Sequence, residues 1–246
     1  LNPSTNNNLT FNAQNEIANS YSKLKTPQLN ANATLKWEIL PEVGYELVVG
    51  YQNSDRSSSV YAGENTHYVI KNYRGYQQGS YISTDPEFKA AMLPFGGEYS
   101  TENISSKSYN MQHKLTYSKT INNDHRFNAL GAFELRSVHT RGKFNTVFGY
   151  MPERGETLAR PTPLDELTPV GGGTVPTGWG ILNRIYSGGW SSTNQKNNYI
   201  SAFATLAYAY KGRYVINANF RHDASNRFGQ STNNRFDPTL SLGVAW

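Results

Sequence analysis

Between Leu29 and Ile39 every odd position is apolar (Leu29, Ala31, Ala33, Leu35, Trp37, Ile39) and every even one is polar (Asn30, Asn32, Thr34, Lys36, Glu38). On a helix, at about 100° per residue, these six side chains would scatter round the whole circumference. Only a strand puts them on one face. The turn sequence PEVG at Pro41 to Gly44 follows, and after it Val43, Tyr45, Leu47, Val49 and Tyr51 alternate with Glu46 and Gln52. Two long amphipathic strands joined by a tight turn predict a β-hairpin.

The pattern recurs at Tyr109, Met111, Leu115 and Tyr117, then, past an INNDH turn, at Phe127, Ala129, Phe133 and Leu135. It returns at Ile200, Ala202, Ala204, Leu206, Tyr208 and Tyr210, then past a KGR turn at Tyr214, Ile216, Ala218 and Phe220. Leu240, Leu242, Val244 and Trp246 begin another strand, and Leu9, Phe11, Ala13 and Ile17 suggest one at the start. The expected strands span about 10 to 13 residues, beyond the ~5 to 6 of soluble sheets and close to the ~9 to 11 that cross a bilayer at a tilt. Tight turns at 41–44, 121–124 and 211–213 alternate with long segments at 53–107, 137–197 and 222–237. That alternation is the outer-membrane barrel pattern, with the short turns facing the periplasm. Trp37, Tyr45, Tyr117, Tyr208, Tyr210 and Tyr214 lie near the short turns, as a periplasmic aromatic girdle would. The expected fold class is therefore all-β: seven or eight strands of a larger antiparallel up-and-down transmembrane barrel, occupying residues 1–246 as a partial barrel domain.

Composition agrees. The 246 residues are 37% hydrophobic and 17% charged, with a mean hydropathy of -0.63, 17 Tyr and 11 Phe, so the chain is polar on average yet rich in aromatics. With no Cys there is no disulfide framework and no Cys-ligated metal site. The +5 charge comes from basic residues scattered through the second half rather than clustered on a phosphate-binding face, which argues against nucleic acid as a partner. No apolar run approaches a transmembrane helix, which leaves barrels open. The chain opens at Leu1 and stops at Trp246 in mid-pattern, as a segment of a longer protein would.

The stretch NNYISAFATLAYAYKGRYVINANFRHDASNRFG, Asn197 to Gly229, closely resembles the SusC/RagA family of TonB-dependent transporters. The family's strand closes in an RxDxSxRFG-like loop, here Arg221, Asp223, Ser225, Arg227, Phe228 and Gly229. NNRFDPTLSLGVAW, Asn233 to Trp246, looks like the next family strand, and HRFNALGAFELRS, His125 to Ser137, is similar in a more general way. The resemblance rests on specific motifs over roughly the last fifty residues. It implies a barrel of about 22 strands in the outer membrane of a Gram-negative bacterium of the Bacteroidetes, plugged by an N-terminal domain that this segment does not show. It also implies uptake of oligosaccharides or peptides driven by TonB through that plug, with a SusD-like surface lipoprotein as lid.

No G-x-S-x-G, P-loop or H-E-x-x-H is present, and His67, His113, His125, His139 and His222 show no ligand spacing, so neither enzyme, metal nor cofactor is expected. If the chain imports a substrate, its chemistry is recognition. Rings stack on the apolar faces of pyranoses while amides bond hydroxyls. Tyr73, Tyr76, Gln77, Gln78 and Tyr81 in the first long segment, and Trp179 and Trp190 in the second, are the candidates. The alternative for each is packing of the loops on one another. Arg221, Asp223 and Arg227 are expected to tie their own loop by ion pairs. Two other functions share the periodicity: a passive porin or adhesin barrel, and a soluble carbohydrate-binding β-sandwich.

Overall fold

The computed structural model describes residues 11–76, 79–167, 184–186, 189–227 and 236–246. Its strands are β1 (Ser20–Lys25), β2 (Gln28–Leu40), β3 (Val43–Ala62), β4 (Gly97–Ile121), β5 (His125–Met151), β6 (Thr157–Leu158), β7 (Gly189–Tyr210), β8 (Tyr214–Ser225) and β9 (Phe236–Ala245). Among the described residues they form one nine-stranded sheet in the order β1-β3-β4-β5-β7-β8-β9, with β2 also on β3 and β6 on β5. Strands β1 and β2 run antiparallel to β3, β6 to β5, and β8 to both β7 and β9.

One compact unit comprises Pro27–Asp55, Ser105–Arg141 and Asn194–Trp246. Its hairpins close where the sequence places the tight turns, for local reasons. Asn122 and Asn123 take φ of 48° and 58°, and Lys211 and Gly212 take 51° and 63°. Positive φ at both central residues is the hairpin turn that matches strand twist, and Asn and Gly reach it at least cost. Asp124 N–H donates to the Ile121 carbonyl at 3.2 Å and Arg213 N–H to that of Tyr210 at 3.0 Å, closing the two turns.

The register then decides what each face presents. Across β2 and β3, Leu35 lies opposite Leu47, Ala33 opposite Val49 and Trp37 opposite Tyr45. Across β7, β8 and β9, Ala204 faces Phe220, which faces Leu240, and Leu206 faces Ala218, which faces Leu242. Residues directly opposite share a face, so apolar meets apolar on one side throughout. This face is not a core: Leu35 is 57% exposed, Trp37 62%, Leu206 49% and Leu242 72%. The other face pairs polar groups. Lys114 Nζ reaches Glu46 at 2.9 Å, Ser118 Oγ donates to Asn128 at 2.9 Å and Asn219 Nδ2 donates to Ser241 at 3.2 Å. The girdle aromatics meet near the tight turns: Tyr208 Oη lies 2.7 Å from His125 Nδ1, with Phe127 at 4.7 Å between centroids, and Tyr210 lies beside Tyr214.

The other unit comprises Leu1–Thr26, Arg56–Ile104 and Gly142–Thr193. A short helix, α1 (Ala13–Asn19), replaces the expected opening strand. Asn12 caps it, accepting from the N–H groups of Gln14 and Asn15, and this satisfies orphan donors that an alternating pattern takes no account of. The connection after β3 folds back into a cluster of Val69, Tyr73, Leu93, Phe148 and Ile185. Gly96 and Gly149, with φ of 73° and 78°, allow the close approach: a Cβ on Gly96 would lie 2.3 Å from the Gly149 backbone carbon.

Strand length is corrected as well. β3, β4, β5 and β7 run 20, 25, 27 and 22 residues, so much of 53–107 and 137–197 is strand rather than loop. Ser57, Ser58 and Ser59, like Ser105 and Ser106, are polar whichever face they take, which hides a period of two. The strand continues through the first of these runs all the same, with Ser57 opposite Lys25, Ser58 opposite Leu24 and Ser59 opposite Lys23.

β9 has only β8 as a partner among the described residues, and β2 only β3. Unpaired strand edges recruit other chains. Expressed by itself in plain buffer, this 246-residue chain is expected to aggregate or stay unfolded, and light scattering with thermal melting checks this. A monodisperse, cooperatively melting product would contradict it.

Candidate functional site

The unit that carries α1 holds a cleft of about 580 Å³, built from the backbone outward. Gly63 N–H donates to the carbonyl of Asn19 at 2.8 Å, and Glu16 accepts the N–H of His67 at 2.5 Å, tying α1 to the segment that follows β3. Thr66, 1% exposed, donates to the Gly63 carbonyl and caps Val69. The turn it starts carries Tyr68 and Tyr73 to one carboxylate. Glu98 accepts from Tyr68 Oη at 3.0 Å, from Tyr73 Oη and from Arg184 Nη2 at 2.5 Å.

The Glu98 side chain is 9% exposed, while that of Arg184 is 47% exposed. A charge so buried is tolerated only when paired and hydrogen-bonded, and here three donors converge on it. Glu16, Ser20, Ser22, Tyr68, Glu98 and Ser100 line the cleft with hydroxyls and two carboxylates, while Tyr21 and Tyr61, paired across β1 and β3 one residue out of step with Ser20 and Ser22, turn their rings to the other face of the sheet. The Tyr61 ring lies 5.4 Å from Tyr21 and 5.6 Å from Tyr150, which stacks on Tyr99 at 4.6 Å. The cleft itself offers many hydrogen-bonding groups, which suits a polyhydroxyl or peptide ligand.

Burial, with Glu64 nearby, pushes the Tyr61 phenol up to about 12, and burial followed by the bond to Glu98 raises Tyr73 further. A phenol raised in the folded state contributes stability that is complete below about pH 10, its unfolded value, and is lost as pH climbs toward 12. Phenolate absorption of the folded protein is therefore expected to develop late, with Tyr61 ionising only near pH 12 and Tyr73 later still. Ionisation of every tyrosine near pH 10 would contradict the packing.

The residues singled out by sequence are distributed as follows. Tyr73 and Tyr76 are 1% and 3% exposed, inside the packed segment rather than on its surface. Tyr81 lies edge-on to Tyr76 at 5.0 Å, and Trp190, at the start of β7, is 67% exposed. Gln77, Gln78, Trp179, Phe228 and Gly229 lie outside the described residues. Arg221, Asp223 and Ser225 alternate along β8, so they share its polar face. The Arg221 guanidinium grips Asp223 twice, at 2.6 and 3.0 Å, and Ser201 Oγ donates to the same carboxylate at 2.6 Å. Ser225 Oγ accepts the N–H of Arg227 at 3.1 Å. Asn226, which no motif singles out, accepts from Asn198 N–H at 2.9 Å and donates to the Lys196 carbonyl at 2.7 Å. Sequence reasoning also missed Glu16, Tyr68 and Glu98; an isolated acid opening a polar strand, as in GGEYS, was the one available hint.

Long antiparallel strands with one exposed apolar face, alternately joined by two-residue turns and long connections, define the class: wall of an outer-membrane-type β-barrel. No protein-family model matches the chain. Over 151 residues it is 28% identical to a TonB-dependent receptor of Formosa agariphila, a stretch covering 61% of this chain and 13% of that protein. The sheet superposes on solved structures of the RagAB peptide transporter, including the RagAB peptide importer in its closed-closed and open-open states. Each has a TM-score of 0.64 at 16% identity, over 92% of this chain and 20% of theirs. Both comparisons bear out the resemblance to SusC/RagA-type TonB-dependent transporters, and this chain spans under a quarter of the length of either relative.

Proposed function

We propose that this chain is part of the barrel wall of an outer-membrane, TonB-dependent importer working with a SusD-like surface lipoprotein. The single observation that carries the reading is the register, which gathers exposed Leu, Ile, Val and aromatic side chains on one face and amides, hydroxyls and ion pairs on the other. In lipid the first face touches hydrocarbon and the second lines a watery lumen. Substrate is oligosaccharide, taken by the hydroxyl-lined cleft, by the exposed Trp190 and by the half-buried Tyr81. Tyr73 and Tyr76 shape the binding segment from within, and the Arg221–Asp223 pair fixes the end of β8. A peptide cargo is the second reading, favoured by the likeness to RagAB peptide transporters.

The test uses the complete gene product in its own host. The protein should fractionate with the outer membrane, migrate differently when unheated, and take up labelled oligosaccharide at a rate that falls to background when TonB is removed. Uptake that survives loss of TonB would make the barrel a passive porin. Uptake of labelled peptide alone would replace the cargo assignment.

A further inference from the structure

On the apolar face, at the ends of the strands away from the tight turns, the side chains change character abruptly. Alternation places Lys107 on the same face as Tyr109, Arg141 on the face of Phe133 and Leu135, and Lys196 on that of Ile200. All three are exposed, and no ion pair is found for them among the described residues. By contrast Lys36, Lys114 and Lys119 are paired with Glu46 or Glu42. Around the three cations runs a strip of amides and hydroxyls. His139 Nε2 donates to Asn194 Oδ1 at 2.7 Å with Arg141 Nε 3.2 Å from the same ring nitrogen, and Ser137 Oγ donates to Asn198 at 2.8 Å. Asp55, the acid beside this strip, is held by the side chains of Ser105 and Asn53, the latter's Nδ2 at 2.7 Å, with Lys107 outside ion-pair distance.

Height identifies what the strip meets. The three cations stand roughly 14 to 16 residues from the tight turns, about 46 to 53 Å along strands that rise ~3.3 Å per residue. At a tilt of about 40° that is roughly 35 to 40 Å along the normal, beyond an apolar band ~25 Å tall and at the depth of headgroups. We infer that Lys107, Arg141 and Lys196, with the amide strip beside them, form an outward-facing seat for the phosphate and sugar groups of a phosphorylated glycolipid of the outer leaflet. The cations match the phosphates, and the amides and hydroxyls match the sugar, which a glycerol phospholipid lacks. This rests on the membrane placement proposed above.

The test is lipid retention by the complete protein, read by native mass spectrometry after exchange into micelles doped with lipid A, dephosphorylated lipid A or phosphatidylglycerol. Lipid A should stay bound, dephosphorylated lipid A should not, and phosphatidylglycerol should bind more weakly. At about fivefold per cation, Lys107→Gln/Arg141→Gln/Lys196→Gln should weaken lipid A binding about a hundredfold. Lys107→Arg/Lys196→Arg should retain it, as should the turn-side control Lys36→Gln/Lys114→Gln. Unheated migration confirms that each variant is folded. Equal retention by the triple variant overturns the seat, as does equal binding of phosphatidylglycerol, which would reduce it to a generic anion surface. A complete protein that fails to reach the outer membrane instead overturns the functional reading itself.

Discussion

Leu206→Arg should destabilise the complete protein in lipid vesicles by about 1 to 3 kcal/mol, the cost of a guanidinium on the lipid side between the aromatic girdle and mid-membrane. Leu206 is 49% exposed, and in a water-soluble sheet a half-exposed site away from special features would tolerate the change within about 0.5 kcal/mol. Its neighbour Thr205 sits opposite Asn219 on the polar face, so Thr205→Arg should stay within that tolerance. Urea unfolding of the two variants in the same vesicles separates solvent from hydrocarbon as the medium touching each face. Equal costs would mean that the exposed apolar face does not meet lipid, and the import reading would fall with it.

What was legible in the sequence is what local physics controls. The Asn122–Asn123 and Lys211–Gly212 turns could be read because few residues reach positive φ. The Leu35–Leu47 and Leu206–Ala218 registers could be read because a slip of one residue would turn Lys36 or Thr205 toward lipid. Farther from each turn the contrast disappears. Ser57, Ser58, Ser105, Ser106 and Thr140 are polar whichever way they point, so strands such as β5 run on unseen through what reads as loop. The opening helix was hidden for a related reason: Phe11, Ala13 and Ile17 mimic alternation, while the tie from Glu16 to His67 depends on a residue 51 positions away. The cleft was hidden most completely. Glu98 meets Tyr73 and Arg184 across separations of 25 and 86 residues, and no spacing rule links them.

That same convergence makes Glu98 the most consequential side chain of the cleft. Glu98→Ala leaves the Tyr73 hydroxyl buried with Tyr68 as its remaining partner, at 3.3 Å, while the half-exposed Arg184 can turn to water. An inadequately satisfied buried phenol costs about 1 to 3 kcal/mol, and the lost packing adds to it. The expected result is local: hydrogen exchange of the backbone between Thr66 and Arg74 should speed up about 30- to 150-fold, with migration of the unheated barrel unchanged. Tyr73→Phe in the same background removes the stranded hydroxyl and should restore roughly a tenfold share of the protection, because deleting both partners is cheaper than deleting one. Unchanged exchange in Glu98→Ala would show that the hydrophobic cluster of Val69, Tyr73 and Phe148 holds the segment unaided. The carboxylate would then be available to a ligand rather than committed to the fold.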